Sequence, residues 1–270
     1  MEASAGMVAR LWSDLTTDDL ARRDMRRAIA VLPVAAIEQH GPHLPLSTDC
    51  DIAEGYLARV RAQVPADLDV LLLPVQAVGK SDEHDAFPGT LSLETGTALA
   101  AWTGIGAAIH RAGCRKLVIV TSHGGNSALI DLVAGDLRSR FGVVAVTTSW
   151  ARFGYPEGLF PADEIAHGIH AGGIETALML ALRPDLVRTD RIADFPPRTR
   201  AMVRDFAHLR AGRPAAFAWK AGDLHPSGAI GDARLGTAEA GRAALDHGAR
   251  AFVALLRDVD AFELDGPACP

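Results

Sequence analysis

Lys116-Leu-Val-Ile-Val-Thr121, followed at once by Ser122-His-Gly-Gly-Asn126, is the stretch that decides the fold. The apolar, β-branched run reads as a strand buried on both faces. The two glycines and the asparagine then turn the chain, and residues 126–141 take helical spacing that ends at Gly142. Working outward, the alternation recurs. Residues 28–37, 70–75 and 143–149 read as further strands. Residues 51–64, a segment from a Ser92 cap to Gly113, residues 172–182, and a Thr237-capped segment to Arg257 read as helices. Strands separated by helices predict an α/β fold: a single layered domain, 1–270, with a mainly parallel sheet flanked by helices. Residues 1–27 read as an N-terminal extension. Two Gly/Pro-punctuated stretches, 151–169 and 188–231, break the rhythm, and segments of that length in a domain usually carry function or disorder.

The 270 residues are 49% apolar and 22% charged, enough to bury a substantial core and unlike a disordered chain. A formal net charge of -6 argues against a nucleic-acid partner. Cys50, Cys114 and Cys269 stand at unrelated spacings, which excludes a disulfide scaffold and a cysteine-built zinc ribbon. The N-terminus carries Glu2, Asp14, Asp18 and Asp19 without the apolar run of a signal peptide. No window approaches the ~18 uncharged apolar residues of a membrane span. These readings predict a cytoplasmic protein without a membrane partner.

The chemistry gathers after the strands. Beyond the first strand come Glu38-Gln-His40-Gly-Pro-His-Leu-Pro-Leu-Ser-Thr-Asp49. Side chains two apart on an extended segment point to one side, so Glu38 and His40 project together. Pro42 and Pro45 can turn the chain to bring Asp49 beside them. His123 stands where open α/β sheets bind ligands, just beyond a strand's carboxyl end, and Gly124 allows close backbone approach. Glu175 lies in an apolar helical run, where a carboxylate is costly unless it pairs or binds a metal; His170 precedes it near the helix start. The polar loop after the second strand holds Ser81, Glu83 and His84, which could line a pocket. Taken singly, each segment also fits an ordinary loop, turn or solvent-facing residue. Taken together, Glu38, His40, Asp49, His123 and Glu175 fit two metals sharing a carboxylate, with His170 as a proton shuttle. Carboxylates and imidazoles suit Zn²⁺ first, with Mn²⁺ or Fe²⁺ as alternatives.

Glu38-Gln-His-Gly-Pro-His43, Phe87-Pro-Gly-Thr90, Ser122-His-Gly-Gly-Asn126 and Glu175-Thr-Ala-Leu-Met-Leu180 resemble the creatininase (creatinine amidohydrolase) family, from about Leu32 to about Leu256. The resemblance implies a metal-dependent hydrolase of non-peptide amides, a dinuclear centre of two divalent ions per subunit, and a ring-like homo-oligomer, often a hexamer. It implies that Asp49 bridges, that Glu38 and His123 hold one ion and His40 and Glu175 the other, that His170 is catalytic, and that Trp150 is an active-site tryptophan. Two positions depart from creatininase itself. Gly125 stands where creatininase has a glutamate ligand, and Ala166 where it has a substrate-stacking tryptophan. The Gly-Gly-Asn form is similar to the wider family, which includes a formamide hydrolase and the peptidase that trims the mycofactocin precursor. The expected function is attack by metal-activated water on a C–N bond of a small cyclic amide, lactam or formamide. A precursor-peptide peptidase with the same centre is the alternative, and a metal-dependent binding protein without turnover is the alternative of another class.

Overall fold

Residues 10–264 are described by the computed structural model. Two all-buried strands set its centre: β2 (Ile29–Val34) and β4 (Lys116–Thr121) pair in parallel, from Ile29 opposite Lys116 to Val34 opposite Thr121. Around them the order is β1-β3-β2-β4-β5, with β1 Arg10–Leu11, β3 Val70–Leu72 and β5 Val144–Ser149, and each adjacent pair is parallel. Nine helices accompany the sheet in the described chain. They are α1 Thr17–Arg22, α2 Thr48–Gln63, α3 Thr95–Arg111, α4 Ser127–Phe141, α5 Ala162–His167, α6 Gly173–Leu182, α7 Arg198–Asp205, α8 Ala221–Leu224 and α9 Ala238–Ala261.

Strand periodicity divides the core between the two faces. Ile29 and Val31 of β2 and Val118 and Val120 of β4 pack with Tyr56 of α2, Leu178 of α6 and Phe252 of α9. Ala30, Leu32, Leu117 and Ile119 face the other way, against Trp102 of α3 and Val133 of α4. Burial of these apolar side chains, at about 1.5–3 kcal/mol each, is what holds the helices on the sheet. On the first face α9 approaches α6 closely: a Cβ at Gly241 would sit 1.9 Å from the Ala177 carbonyl oxygen, so only glycine fits there.

Strand order fixes the site. The chain leaves β2 toward β3 on one side, while β4 lies on the other. The reversal opens a crevice beyond the carboxyl ends of β2 and β4, where α/β sheets place their ligands.

Three expectations change. Residues 10–27 are not simply an extension, because β1 pairs with Leu71–Leu72 and extends the sheet. Ser92 does not cap α3, which begins at Thr95; its hydroxyl accepts the Ser81 N–H at 2.9 Å and donates to Asp82 at 2.6 Å, bracing the loop before it. The stretch 188–231 is ordered into short pieces: β6 (Asp194–Phe195), α7, β7 (Leu209–Arg210), β8 (Ala215–Ala216), α8 and β9 (Gly231–Asp232). Glu2 and Cys269 lie outside the described residues. Among the described residues, no helix is long and apolar enough to cross a membrane.

Candidate metal centre

Glu38 and His40 stand on the segment that leaves β2, and Asp49 on the first turn of α2, returned to them by the proline turn. That turn is closed by the Thr48 N–H on the Pro45 carbonyl and the Glu38 N–H on the Leu46 carbonyl. His123 follows β4, and Glu175 lies in the first turn of α6. Their ligand atoms converge into two groups, Glu38–Asp49–His123 and His40–Asp49–Glu175, with Asp49 common to both; within each, the atoms lie within 4.8 Å of one another. Asp49 Oδ2 is 3.6 Å from His123 Nδ1, and Asp49 Oδ1 is 3.7 Å from His40 Nε2. Glu38 Oε1 is 3.1 Å from His123 Nδ1, and Glu175 Oε2 is 3.8 Å from His40 Nε2. A third grouping joins Glu38, His40 and His170.

The histidines share one arrangement. His40 Nδ1 lies 3.1 Å from the Glu38 carbonyl oxygen, His123 Nε2 2.9 Å from that of Lys80, and His170 Nε2 2.6 Å from that of Gln39. A ring N–H donated to a carbonyl fixes the ring's orientation and leaves the other nitrogen as the one a metal would take, as metal-ligating histidines require. In each ring that other nitrogen faces the carboxylates. Glu175 is positioned in turn by the Ala171 N–H at 2.5 Å, from the one non-glycine residue with positive φ (53°) among those described. Such backbone strain clusters at functional sites. His43 is also buried, with Nε2 2.9 Å from Thr176 Oγ1, so it joins the loop after β2 to the helix that carries Glu175.

Electrostatics follow from burial and crowding. Burial alone would lower His40, but Asp49, Glu175 and Glu38 raise it to about 9. Burial opposes His123 in the same way, yet Glu38, then Asp49 and Glu83, raise it to about 10. Burial works to raise Glu38, but His123, His170 and His40 hold it well below the usual carboxylate range. Burial raises Asp49, with Glu38 adding to it, and brings Glu175 to about 7. Burial also lowers His84 to about 4 and His170 well below the ordinary imidazole value, so both rings are neutral at pH 7. Both Glu38 oxygens, Asp49 Oδ2 and His40 Nε2 are buried without a hydrogen-bond partner. Unpartnered buried polar atoms are expensive and rare. Here they point at one another across the space that a divalent cation would fill, and the carboxylate and imidazole set fits Zn²⁺ or Mn²⁺.

Beside the centre is a cavity of about 190 Å³ lined by His123, Gly124, Trp150, Tyr155, Ile169 and Glu175 among others. Trp150 stacks flat on Tyr56, ring centroids 4.4 Å apart, and is held by the core while it lines that cavity. Ser81, Glu83 and His84 do not line it. They approach from the far side: Ser81 Oγ and Glu83 Oε1 are each 3.4 Å from His123 Nε2, and His84 Nε2 is 3.5 Å from Glu38 Oε1. The sequence reading missed two residues. Gln39 is buried, accepts the Gly41 N–H, and places its amide nitrogen 2.6 Å from His84 Nδ1 and 3.1 Å from the Gly228 carbonyl. Glu164 of α5 is buried and accepts the N–H groups of Gly173 (2.6 Å) and Asp232 (2.9 Å), bracketing the His170–Gly173 turn. Its only sequence trace is the glycine run 168, 172, 173: a Cβ at Gly168 or Gly172 would meet Glu164 Oε1 at 2.1 or 2.2 Å.

Known proteins resemble this chain in sequence and in fold. The Creatininase family model, described as creatinine amidohydrolase, matches residues 13–256. A mycofactocin precursor peptide peptidase of Mycobacterium tuberculosis is 34% identical over 245 residues, covering 84% of this chain and 81% of that protein. The creatinine amidohydrolase of Pseudomonas putida is 36% identical over 188 residues, 63% of this chain and 70% of its own length. A manganese creatininase structure aligns with a TM-score of 0.73 at 27% identity, over 93% of this chain and 98% of its own. A creatininase variant of Zn–Zn type aligns at 0.72 and 28%, over 92% and 97%.

Proposed function

The chain belongs to the creatininase family, a family of amide-bond hydrolases, and from that premise we propose that it is a dinuclear metal amidohydrolase acting on a small cyclic amide, lactam or formamide. The observation that carries the reading is the set of buried, unpartnered oxygens and nitrogens on Glu38, Asp49 and His40, directed into one space between two strand ends. Glu38 and His123 would hold one ion, His40 and Glu175 the other, and Asp49 both. Bound ions would supply an acidified water and an electrophile for the substrate carbonyl. The chain's own residues do the rest. His170 keeps its proton on Nε2, donated to the Gln39 carbonyl, and presents a bare Nδ1 3.7 Å from Glu38 Oε1. That atom takes a proton from the attacking water and returns it to the departing nitrogen. Trp150, Tyr155 and Ile169 give the cavity apolar lining for the substrate's carbon skeleton.

A second reading, a peptidase acting on a peptide end, is supported by the length of the match to the mycofactocin-related relative, 84% of this chain against 63% for the creatinine amidohydrolase. Gly125 and Ala166 favour neither creatinine nor its stacking lid. Protein loaded with Zn²⁺ or Mn²⁺ is assayed on creatinine, on simple lactams and formamides, and on short peptides. Turnover of a small amide or formamide without peptide cleavage supports the first reading. Peptide cleavage alone replaces it with the second, and no turnover together with no ion uptake overturns both.

A further inference from the structure

Gly125 follows His123 by two residues, and its missing side chain is accounted for by a neighbour. A Cβ built at Gly125 would lie 2.3 Å from Glu83 Oε1, 2.4 Å from His123 Nε2 and 2.8 Å from the Lys80 carbonyl oxygen. The volume that any side chain at 125 would need is already taken by that carboxylate, from the loop after β3, together with the His123 ring and the Lys80 carbonyl.

That loop is built to hold the carboxylate there. The Lys80 N–H is accepted by Asn126 Oδ1 at 3.0 Å, the Ser81 N–H by Ser92 Oγ at 2.9 Å, and the Leu93 N–H by the Gly79 carbonyl at 2.8 Å. The nearby cations pair with other acids of the loop: the Lys80 ammonium with Asp82, and that of Lys220, before α8, with Asp85 at 2.7 Å. The described ion pair of Glu83 is with His123, at 3.4 Å, and its side chain is 18% exposed. His123 Nε2 therefore meets three oxygens of one short loop, the Lys80 carbonyl, Ser81 Oγ and Glu83 Oε1, while Nδ1 faces Glu38 and Asp49.

We infer that Glu83 is the positioning carboxylate of His123, seated in the slot that Gly125 leaves open, and that it sets how tightly the Glu38–Asp49–His123 group holds its ion. A negative charge behind a ligating imidazole makes the opposite nitrogen a better donor and fixes the ring's orientation. Gly125 is required beside it, because a Cβ there would press on the carboxylate, the His123 ring and the Lys80 carbonyl together.

The inference rests on the metal-centre reading, and the test separates the two. Chelator-stripped full-length protein is titrated with Zn²⁺ against a chromophoric chelator, beside thermal melts of the metal-free forms. Glu83→Gln should bind one ion about 10–100-fold more weakly, the usual cost of losing such a partner, with an unchanged metal-free melt. Glu83→Asp, which keeps the charge, should recover part of that loss. Gly125→Ala, which presses on both Glu83 and His123, should also weaken binding of that ion. A Glu83→Gln protein with the parent's affinity for every ion overturns the inference and leaves the metal centre standing. A parent protein that takes up no Zn²⁺ overturns both.

Discussion

The molecule buries carboxylates in two neighbouring places and treats them oppositely. At the ends of β2 and β4, the Glu38 oxygens and Asp49 Oδ2 are sealed from water with no hydrogen-bond partner. At the turn before α6, Glu164 is just as buried, but its two oxygens accept the Gly173 and Asp232 N–H groups inside a cast of glycines. A buried charge satisfied from within contributes to the fold. A buried acid without such N–H partners faces only the neighbouring imidazoles, an arrangement that suits a cation from outside. The difference teaches that burial alone does not mark a functional acid in this protein; its unmet hydrogen bonds do.

The largest expected effect breaks the first region. Asp49→Ala removes the one carboxylate common to both ligand groups, so at least one ion and essentially all turnover should be lost. Elemental analysis and kinetics check this. A variant that keeps both ions would take Asp49 out of the ligand set.

His170→Ala sharpens the division within the centre. If His170 moves protons, turnover should fall by roughly 10²–10⁴-fold with both ions retained. Loss of an ion would instead make it a ligand, as its grouping with Glu38 and His40 allows.

Glu164→Ala tests the other side of the comparison. It strands two buried N–H groups and should cost about 2–4 kcal/mol of stability by urea unfolding, equally with and without metal. A loss confined to the metal-loaded form would show that Glu164 serves the centre rather than the fold.

The smallest effect is in pH. His40 and His123, raised to about 9 and about 10, hold protons at pH 7 in the metal-free protein. Ion uptake must displace them, so calorimetry in buffers of different ionisation enthalpy should show proton release, and Zn²⁺ affinity should rise by about tenfold per pH unit for each proton displaced. The metal-free fold should do the reverse. The stabilisation from these two imidazoliums is complete below pH 6.5 and is lost as pH rises through about 9 and about 10. A metal-free protein that gains stability over that alkaline range would contradict the charge pairing.

Much of this was legible before any coordinates. The strand-helix alternation gave the parallel sheet because β2 and β4 are apolar on both faces, a pattern that survives in sequence order. Glu38, His40 and His123 were legible as candidates because they follow apolar strand runs, Asp49 because two prolines could turn the chain back, and Glu175 because a carboxylate interrupts an apolar helical run. The structure groups their ligand atoms. Residues 188–231 were not resolved into elements, since strands of two residues such as β6 and β9 carry no periodicity to read. Ser92 was misread as a cap because its local spacing fits one, while its true partners, Ser81 and Asp82, lie on another loop.

The sequence alone determined the order of strands and helices along the chain, the residue types able to bind a metal, and their places at strand ends and in the turns and helix starts beside them. These depend on local patterning and on the backbone's own periods. The tertiary structure alone decided that Asp49 is shared by both ligand groups, that three ring N–H groups lie against backbone carbonyls, that Glu164 accepts the Gly173 and Asp232 N–H groups, and that Glu83 lies against Gly125 and His123. Each depends on an approach between residues distant in the chain, measured in tenths of an ångström, and a linear pattern carries no such distances.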